Sequence, residues 1–144
     1  MSLWAIGFGG MLGAVLALAS LRQRIFTNTA FVAITLLTIA AFYPLFTLYY
    51  IGSGHGGGLG NLMIHLLVFG LFGLMSAAGL IKLKTRSALN WLAVGILLHG
   101  VFDVLLLAFA PHSQHGPSWW AEFCAAVDIT LGLGLLSFRK RDLI

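Results

Sequence analysis

A histidine and an aspartate lie four positions apart within a long apolar run of this chain. The run is GILLHGVFDVLLL, residues 95–107, and the two ionisable residues are His99 and Asp103. Residues four apart share one face of a helix, so the imidazole and the carboxylate would point the same way. Such a pair can bind a metal ion together, or it can share a proton through a hydrogen bond.

Two further apolar stretches carry polar residues at the same spacing. Asn61 precedes His65 by four positions, and Cys124 precedes Asp128 by four positions. If the three stretches are helices that meet, their polar groups share one pocket, in which imidazoles and carboxylates suit Zn²⁺, iron or manganese. The predicted metal ligands are His65, His99, Asp103 and Asp128. The predicted catalytic residues are Asp103 and Asp128, and Asn61 and Cys124 are predicted to lie beside them.

The composition places the chain in a membrane. Of its 144 residues, 60% are hydrophobic and only 8% are charged, whereas soluble domains carry about 25% charged residues. So few charges could not cover the surface of a water-soluble fold. The composition therefore predicts a multi-pass integral membrane protein, which we assign to the plasma (inner) membrane. The single cysteine excludes a disulfide within the chain.

Five apolar stretches are long enough to cross a bilayer, for which a helix needs about 20 residues. A backbone in lipid must satisfy its own hydrogen bonds, and this requirement favours helices. The predicted fold is an all-α bundle of five membrane-spanning helices in one domain, residues 1–144. The predicted spans are 2–21, 29–51, 59–81, 88–110 and 119–138.

The basic residues predict the orientation of the bundle. All 8 Lys and Arg residues follow the first, third or fifth span. They are Arg22, Arg24, Lys82, Lys84, Arg86, Arg139, Lys140 and Arg141. Because basic loops stay in the cytoplasm, we expect the N-terminus outside and the C-terminus in the cytoplasm. The same placement accounts for the net charge of +4 without nucleic-acid binding.

The orientation allows the depth of each ionisable residue to be compared. A helix rises about 1.5 Å per residue, which puts His65 about 9 Å and Asp103 about 10 Å below the outer edge. Asp128 and His99 follow at about 13 Å and 16 Å. All four therefore share one band in the outer half of the membrane, so the sequence predicts that their side chains can meet.

Several other residues are candidates for the surroundings of this pocket. Tyr43, beside Pro44 in the second span, lies at a similar depth and could donate a hydrogen bond into it. Glu122 is predicted to be an interfacial carboxylate that reaches water, on a different helix face from Asp128. The two outer links hold three further histidines that could cap the pocket or simply titrate in solvent. They are His55, His112 and His115.

The first span has glycines at positions 9 and 13. The spacing of Gly9 and Gly13 would let another helix approach closely. This face is a candidate surface for a homo-oligomer. The other predicted partners are the lipid bilayer and a lipid-like substrate.

Two segments near the C-terminus resemble a known family. HGVFDVLL, residues 99–106, is followed by PSWWAEFCAAVDITLG, residues 117–132. Together they resemble a family of small multi-span bacterial and fungal membrane proteins of unknown function. The resemblance covers about the last third of the chain and implies that its histidine, cysteine and two aspartates form one pattern. It implies no particular activity.

Three classes of function fit these residues. The first is a metal-dependent enzyme that acts on a lipid or another apolar substrate in the outer half of the bilayer. The second is a proton-linked transporter or channel-like module in which the same groups change protonation. The third is a subunit that binds haem or quinone, with His65 and His99 as axial haem ligands, or that is purely structural. The sequence leaves these alternatives open.

Overall fold

The described part of the chain folds into five long helices. The computed structural model describes residues 2–23, 28–54, 58–81, 85–109 and 116–141, and no strand occurs within these ranges. The helices are α1 (Leu3–Gln23), α2 (Thr29–Gly52), α3 (Leu59–Ile81), α4 (Thr85–Phe109) and α5 (Trp120–Arg141). Each contains a stretch long and apolar enough to cross a membrane. The predicted all-α architecture of five spans is therefore confirmed, and the orientation of the termini stays a prediction.

The helix ends lie close to the predicted spans. The largest differences are at the start of α4, where the helix begins at Thr85 rather than at 88, and at the end of α5, which reaches Arg141 rather than 138. Large apolar side chains are exposed on every helix, such as Leu67 at 71% and Phe109 at 83%. These surfaces are suited to contact with lipid, as expected of a multi-pass membrane protein.

The helices pack in a definite order. Helix α5 lies between α1 and α4, and α4 in turn contacts α2 and α3, which pack on each other. The apolar core draws residues from all five helices and includes fully buried residues such as Leu36, Leu92 and Ile96. This order puts the ionisable residues of α4 next to those of α5, and puts α2 and α3 on the other side of α4.

Two glycines of α1 allow α5 to approach its backbone. A Cβ atom at Gly9 would lie 2.5 Å from the carbonyl oxygen of Phe123, and one at Gly13 would lie 2.6 Å from that of Val127. No other residue type leaves this space. The close approach predicted for this face therefore occurs within the chain, against α5. A homo-oligomer stays a prediction.

Helices α4 and α5 are also held close by glycines. A Cβ atom at Gly100 would lie 3.0 Å from the backbone nitrogen of Ile129 and 3.1 Å from the Cβ of Asp128. One at Gly132 would lie 3.0 Å from the backbone nitrogen of Leu97. Because Gly100 follows His99 directly, this contact brings the imidazole of α4 up to the carboxylate of α5.

Helix α2 begins at a side-chain cap and continues through a proline. The Oδ1 atom of Asn28 accepts a hydrogen bond from the backbone N–H of Ala30 at 2.9 Å, which satisfies one of the free donors of the first turn. Pro44 lies within the helix. Tyr43, directly before this proline, and Thr47, three residues after it, are both buried. Tyr43 contacts Asp103 of α4, and Thr47 contacts His65 of α3.

Candidate metal centre

Three of the four predicted metal ligands meet between α4 and α5. His99, Asp103 and Asp128 each offer one ligand atom, and these atoms all lie within 4.8 Å of one another. The residues are 0%, 0% and 2% exposed. A carboxylate in the middle of a membrane helix costs about 2.5–3.5 kcal/mol on insertion scales. The insertion cost of the two carboxylates must therefore be offset by interactions within the protein.

The Nδ1 atom of His99 lies between the two carboxylates. It is 2.8 Å from Oδ2 of Asp128, which is a hydrogen-bond distance, and 3.6 Å from Oδ2 of Asp103. Oδ2 of Asp103 is fully buried and has no hydrogen-bond partner among the described residues. Buried polar atoms without partners are rare, and this one lies close to the other two ligand atoms. The pocket therefore has an unsatisfied acceptor beside its other two ligand atoms.

Tyr43 fixes the other oxygen of Asp103. Its hydroxyl donates a 2.6 Å hydrogen bond to Oδ1 of Asp103, and both groups are buried. The ring of Tyr43 lies edge-on to that of Phe102, with the ring centroids 5.8 Å apart. With Oδ1 held by the phenol, Oδ2 is the oxygen left for the shared pocket. The sequence predicted Tyr43 as a donor into this band, and the structure places it there.

His65 is also buried, but it belongs to a different pair. Its Nδ1 atom lies 2.7 Å from the hydroxyl oxygen of Thr47. That hydroxyl has one hydrogen, which it donates to the backbone oxygen of Tyr43 at 2.9 Å. The Thr47 oxygen therefore accepts from Nδ1–H of His65. His65 is not a member of the three-residue cluster, and the ring of Tyr43 contacts both histidines, with centroids 5.4 Å and 6.1 Å away.

The remaining predicted residues lie around the cluster or away from it. Cys124 is buried one turn before Asp128 but is not part of the cluster. Asn61 is half-buried one turn before His65. Glu122 is only 6% exposed, and its carboxylate accepts a 2.6 Å hydrogen bond from the backbone N–H of Ser2. It is thus covered by the start of the chain rather than open to water. His55, His112 and His115 lie outside the described residues.

Two residues that shape the site did not stand out in the sequence. Thr47 lies four positions after Tyr43, so the same spacing that marked the other pairs could have indicated it. Gly100 lies between the two residues of the opening motif, and its close contact with α5 decides how near Asp128 can come. A glycine beside a candidate ligand is a usable signal of helix contact in membranes.

The spacing of the ligand atoms fits one bound ion. Ligands at about 2.0–2.2 Å from a tetrahedral Zn²⁺ lie roughly 3.3–3.6 Å from one another. The two distances from Nδ1 of His99 to the carboxylate oxygens are 2.8 Å, which is shorter than this range, and 3.6 Å, which is at its upper end. These two distances therefore lie close to that range, and all three ligand atoms lie within 4.8 Å of one another.

Comparisons with family models, with curated proteins and with solved structures found no match for this chain. The family resemblance of the C-terminal segments stays a prediction. We therefore infer the function from the geometry of the site.

Proposed function

We propose that this protein is a membrane-embedded metalloenzyme in which His99, Asp103 and Asp128 hold one divalent ion. The observation that carries the proposal is the convergence of their three ligand atoms within 4.8 Å, on side chains that are fully or almost fully buried. The donor set is one imidazole and two carboxylates, which suits Zn²⁺, Fe²⁺ or Mn²⁺.

Charge balance supports an ion at this position. Two ionised carboxylates would place two negative charges in a low-dielectric interior, where unpaired charges are strongly disfavoured. A divalent cation neutralises both while His99 stays neutral. It also satisfies the Oδ2 atom of Asp103, which has no other partner among the residues described. The same ion therefore accounts for both the charge and the unsatisfied acceptor.

The number of ligands favours a catalytic ion over a purely structural one. Catalytic zinc sites have three protein ligands and keep a further position for water or substrate, whereas structural sites have four. A bound ion would supply Lewis-acid chemistry and an activated water. Asp103 and Asp128 would serve as ligands, and Tyr43 would hold Asp103 in place through its hydrogen bond. Asp128, whose second oxygen is not assigned to the ion, would be the proton acceptor.

The surroundings indicate the class of substrate. The cluster lies within helices whose outer surfaces are apolar, and aromatic side chains such as Phe72 and Phe102 lie against the ring of His99. A substrate that approaches through the bundle must therefore be soluble in the membrane. We propose a lipid or another apolar molecule, which is held so that its reacting group meets the ion.

A second candidate is a proton-linked function. Here the specific observation is the hydrogen bond of 2.8 Å between His99 and Asp128, together with that of 2.6 Å between Tyr43 and Asp103. With one carboxylate protonated and His99 charged, these groups form a neutral set without a metal ion. In this case the cluster stores or passes protons, as buried carboxylates and histidines do in membrane transporters.

The two candidates differ in metal content. Inductively coupled plasma mass spectrometry on protein purified in detergent measures bound ions per chain. We expect close to one divalent ion per wild-type chain and almost none in His99→Ala and Asp128→Asn. Glu122→Gln is the matched control, because it removes another buried carboxylate that is not part of the cluster, and it should keep the ion. Equal metal content in the wild type and both cluster variants would contradict the metalloenzyme proposal.

Proton flux tests the second candidate. Wild-type protein and Asp128→Asn can be reconstituted into vesicles that contain a pH-sensitive dye and a chelator. Flux that depends on Asp128 in the presence of the chelator would favour the proton-linked function. The metalloenzyme proposal predicts equal and low flux in both preparations.

A further inference from the structure

The helices around the metal centre are not all held together in the same way. Glycines bring α4 and α5 close, and hydrogen bonds between buried side chains join α2 to α3 and to α4. Over the described residues, α2 and α5 are not packed closely on each other. They meet through aromatic rings, because the ring centroids of Phe42 and Phe46 of α2 lie 5.0 Å and 5.1 Å from that of Trp120 of α5. We call these three rings the aromatic seam.

The aromatic seam lies on the face of α5 that leads to the metal centre. Trp120, Cys124 and Asp128 follow one another at intervals of four residues, which places them near one face of the helix. A helix rises about 1.5 Å per residue, so Cys124 lies about 6 Å and Trp120 about 12 Å from Asp128 along the axis. The thiol of Cys124 interacts electrostatically with both carboxylates of the cluster. Along α5, Cys124 therefore lies between the aromatic seam and the metal centre.

The indole N–H of Trp120 is buried without an acceptor. Its Nε1 atom has no hydrogen-bond partner among the residues that the structure describes, although a buried tryptophan N–H usually finds one. The neighbouring rings offer only their faces, which accept hydrogen bonds weakly. A carbonyl oxygen suits this position because it accepts a hydrogen bond without a charge, and an unpaired charge among apolar rings is strongly disfavoured. The unsatisfied donor therefore indicates a ligand with an uncharged oxygen.

A proline lies between the two phenylalanines of the aromatic seam. Pro44 has no backbone N–H, so α2 loses one of its hydrogen bonds at this point. Tyr43 precedes this break, whereas Phe46 follows it. The part of α2 that carries Phe46 can therefore move away from Trp120 while Tyr43 stays bonded to Asp103. The aromatic seam can open in this way without disturbing the metal ligands.

We propose, on the basis of the metalloenzyme function above, that the aromatic seam is the entrance to the metal centre and that Trp120 selects the molecule that enters. Its indole N–H binds a carbonyl oxygen of the substrate, and the apolar remainder extends past Cys124 towards the ion. Trp120 is thus a specificity-determining residue about 12 Å from the ion. The substrate class is an uncharged, carbonyl-bearing lipid rather than a plain hydrocarbon or a fatty acid.

The single cysteine of the chain can show whether the aromatic seam is an entrance. Cys124 is buried, and N-ethylmaleimide, an apolar reagent with carbonyl oxygens, should reach it through the seam. The full-length protein is held in nanodiscs of an ether-linked phosphatidylcholine, whose chains carry no carbonyl, with a chelator present. Mass spectrometry of the intact protein measures the labelling rate. We expect labelling at least tenfold faster in Trp120→Ala. Trp119→Ala, which removes a ring 5.5 Å from that of Trp4 of α1, is the matched control and should label as the wild type does.

A second pair of variants keeps the test independent of the stability of Trp120→Ala. Phe46→Ala opens the same seam from α2 and should also be labelled at least fivefold faster than the wild type. Phe8→Ala removes a ring that is 54% exposed and stacks on Phe123, on the side of α1, and should leave the rate unchanged. Thermal midpoints are measured for every variant, so that a general loosening of the bundle is recognised in both members of a pair.

Protection of Cys124 tests the role of the indole N–H. Methyl decanoate and dodecane have chains of similar length, but only the ester has a carbonyl, and decanoate carries a charge as well. We expect methyl decanoate to slow labelling of the wild type at least threefold, and dodecane and decanoate to leave it unchanged. In Trp120→Phe, which keeps an aromatic ring but removes the N–H, methyl decanoate should protect no better than dodecane.

Three results would overturn the proposal. The first is labelling of Trp120→Ala and Phe46→Ala at the rates of their controls. The second is equal protection of the wild type by methyl decanoate and dodecane, or better protection by decanoate. The third is protection by methyl decanoate that persists in Trp120→Phe. Because a chelator is present throughout, these results do not depend on a bound ion, and a failure of the entrance is distinguishable from a failure of the metal centre.

Discussion

His99 and His65 are two buried histidines whose partners differ in kind. Nδ1 of His99 faces the carboxylates of Asp128 and Asp103, whereas Nδ1 of His65 faces the hydroxyl of Thr47. The first group carries an excess of negative charge unless a cation or protons are added, and the second is neutral as it stands. Both histidines are thus buried, but only His99 faces carboxylates whose charge must be balanced by a cation or by protons.

The largest expected effect on stability is that of removing the carboxylate partner of His99. Asp128→Ala removes the nearest carboxylate from His99, and breaking a buried pair of this kind costs about 3–5 kcal/mol. We expect a fall of that size in the free energy of unfolding, measured in bicelles. The proposed metal site also predicts that this variant binds no ion. A change below about 1 kcal/mol would show that the pair is not important for stability.

Tyr43→Phe should have the next largest effect. It removes the hydrogen bond to Asp103, and a hydrogen bond to a charged group contributes about 1.5–3 kcal/mol. Loss of such a supporting bond also weakens metal affinity about 10–100-fold. Titration with Zn²⁺ and a competing chelator measures the affinity. Tyr49→Phe is the control, since Tyr49 is 69% exposed, and an equal loss in both variants would contradict the role given to Tyr43.

The contact between α4 and α5 provides a third test. A methyl group at Gly100 would meet Ile129 and Asp128 at about the closest distances that side chains tolerate. Gly100→Ala should therefore push the helices apart and cost about 1–3 kcal/mol, with weaker metal binding. Gly70→Ala, where nothing lies within 4 Å, should be neutral or slightly stabilising because alanine favours helices. Identical thermal midpoints for the two variants would argue against a tight contact.

The smallest effect on stability is expected for the pair formed by His65 and Thr47. Thr47→Val removes the acceptor of His65 and should cost about 1 kcal/mol, the contribution of an ordinary hydrogen bond. Metal content should not change. Thr35→Val is the control, because Thr35 makes the same bond to the carbonyl four residues earlier, at 2.9 Å, and contacts no histidine. Loss of the ion in Thr47→Val alone would mean that His65 belongs to the metal centre after all.

Much of this arrangement follows from simple properties of the sequence. Length and hydropathy predict the five helices, because a membrane allows few alternatives. The spacing of four residues predicts that His99 and Asp103 share a face, and depth predicts that Asp128 lies level with them. All of these inferences use distances along a helix, which the residue number determines directly.

Rotation of a helix about its axis is harder to predict. His65 has the right depth, but its face of α3 meets Thr47 of α2, and this depends on how the helices pack. Glycine contacts such as that of Gly100 with α5 determine the packing, and they become visible only when both helices are in place. The hydrogen bond from the backbone N–H of Ser2 to Glu122 likewise depends on the position of α1, which no local sequence pattern predicts.

X-ray absorption spectroscopy of the zinc-loaded protein can show whether His99, Asp103 and Asp128 bind one ion together. We expect one imidazole and oxygen ligands at about 2.0–2.2 Å from the ion, with the imidazole signal lost in His99→Ala and unchanged in His65→Ala. A spectrum with two imidazoles or with a sulfur ligand, or a protein that takes up no zinc, would contradict a centre formed by His99, Asp103 and Asp128.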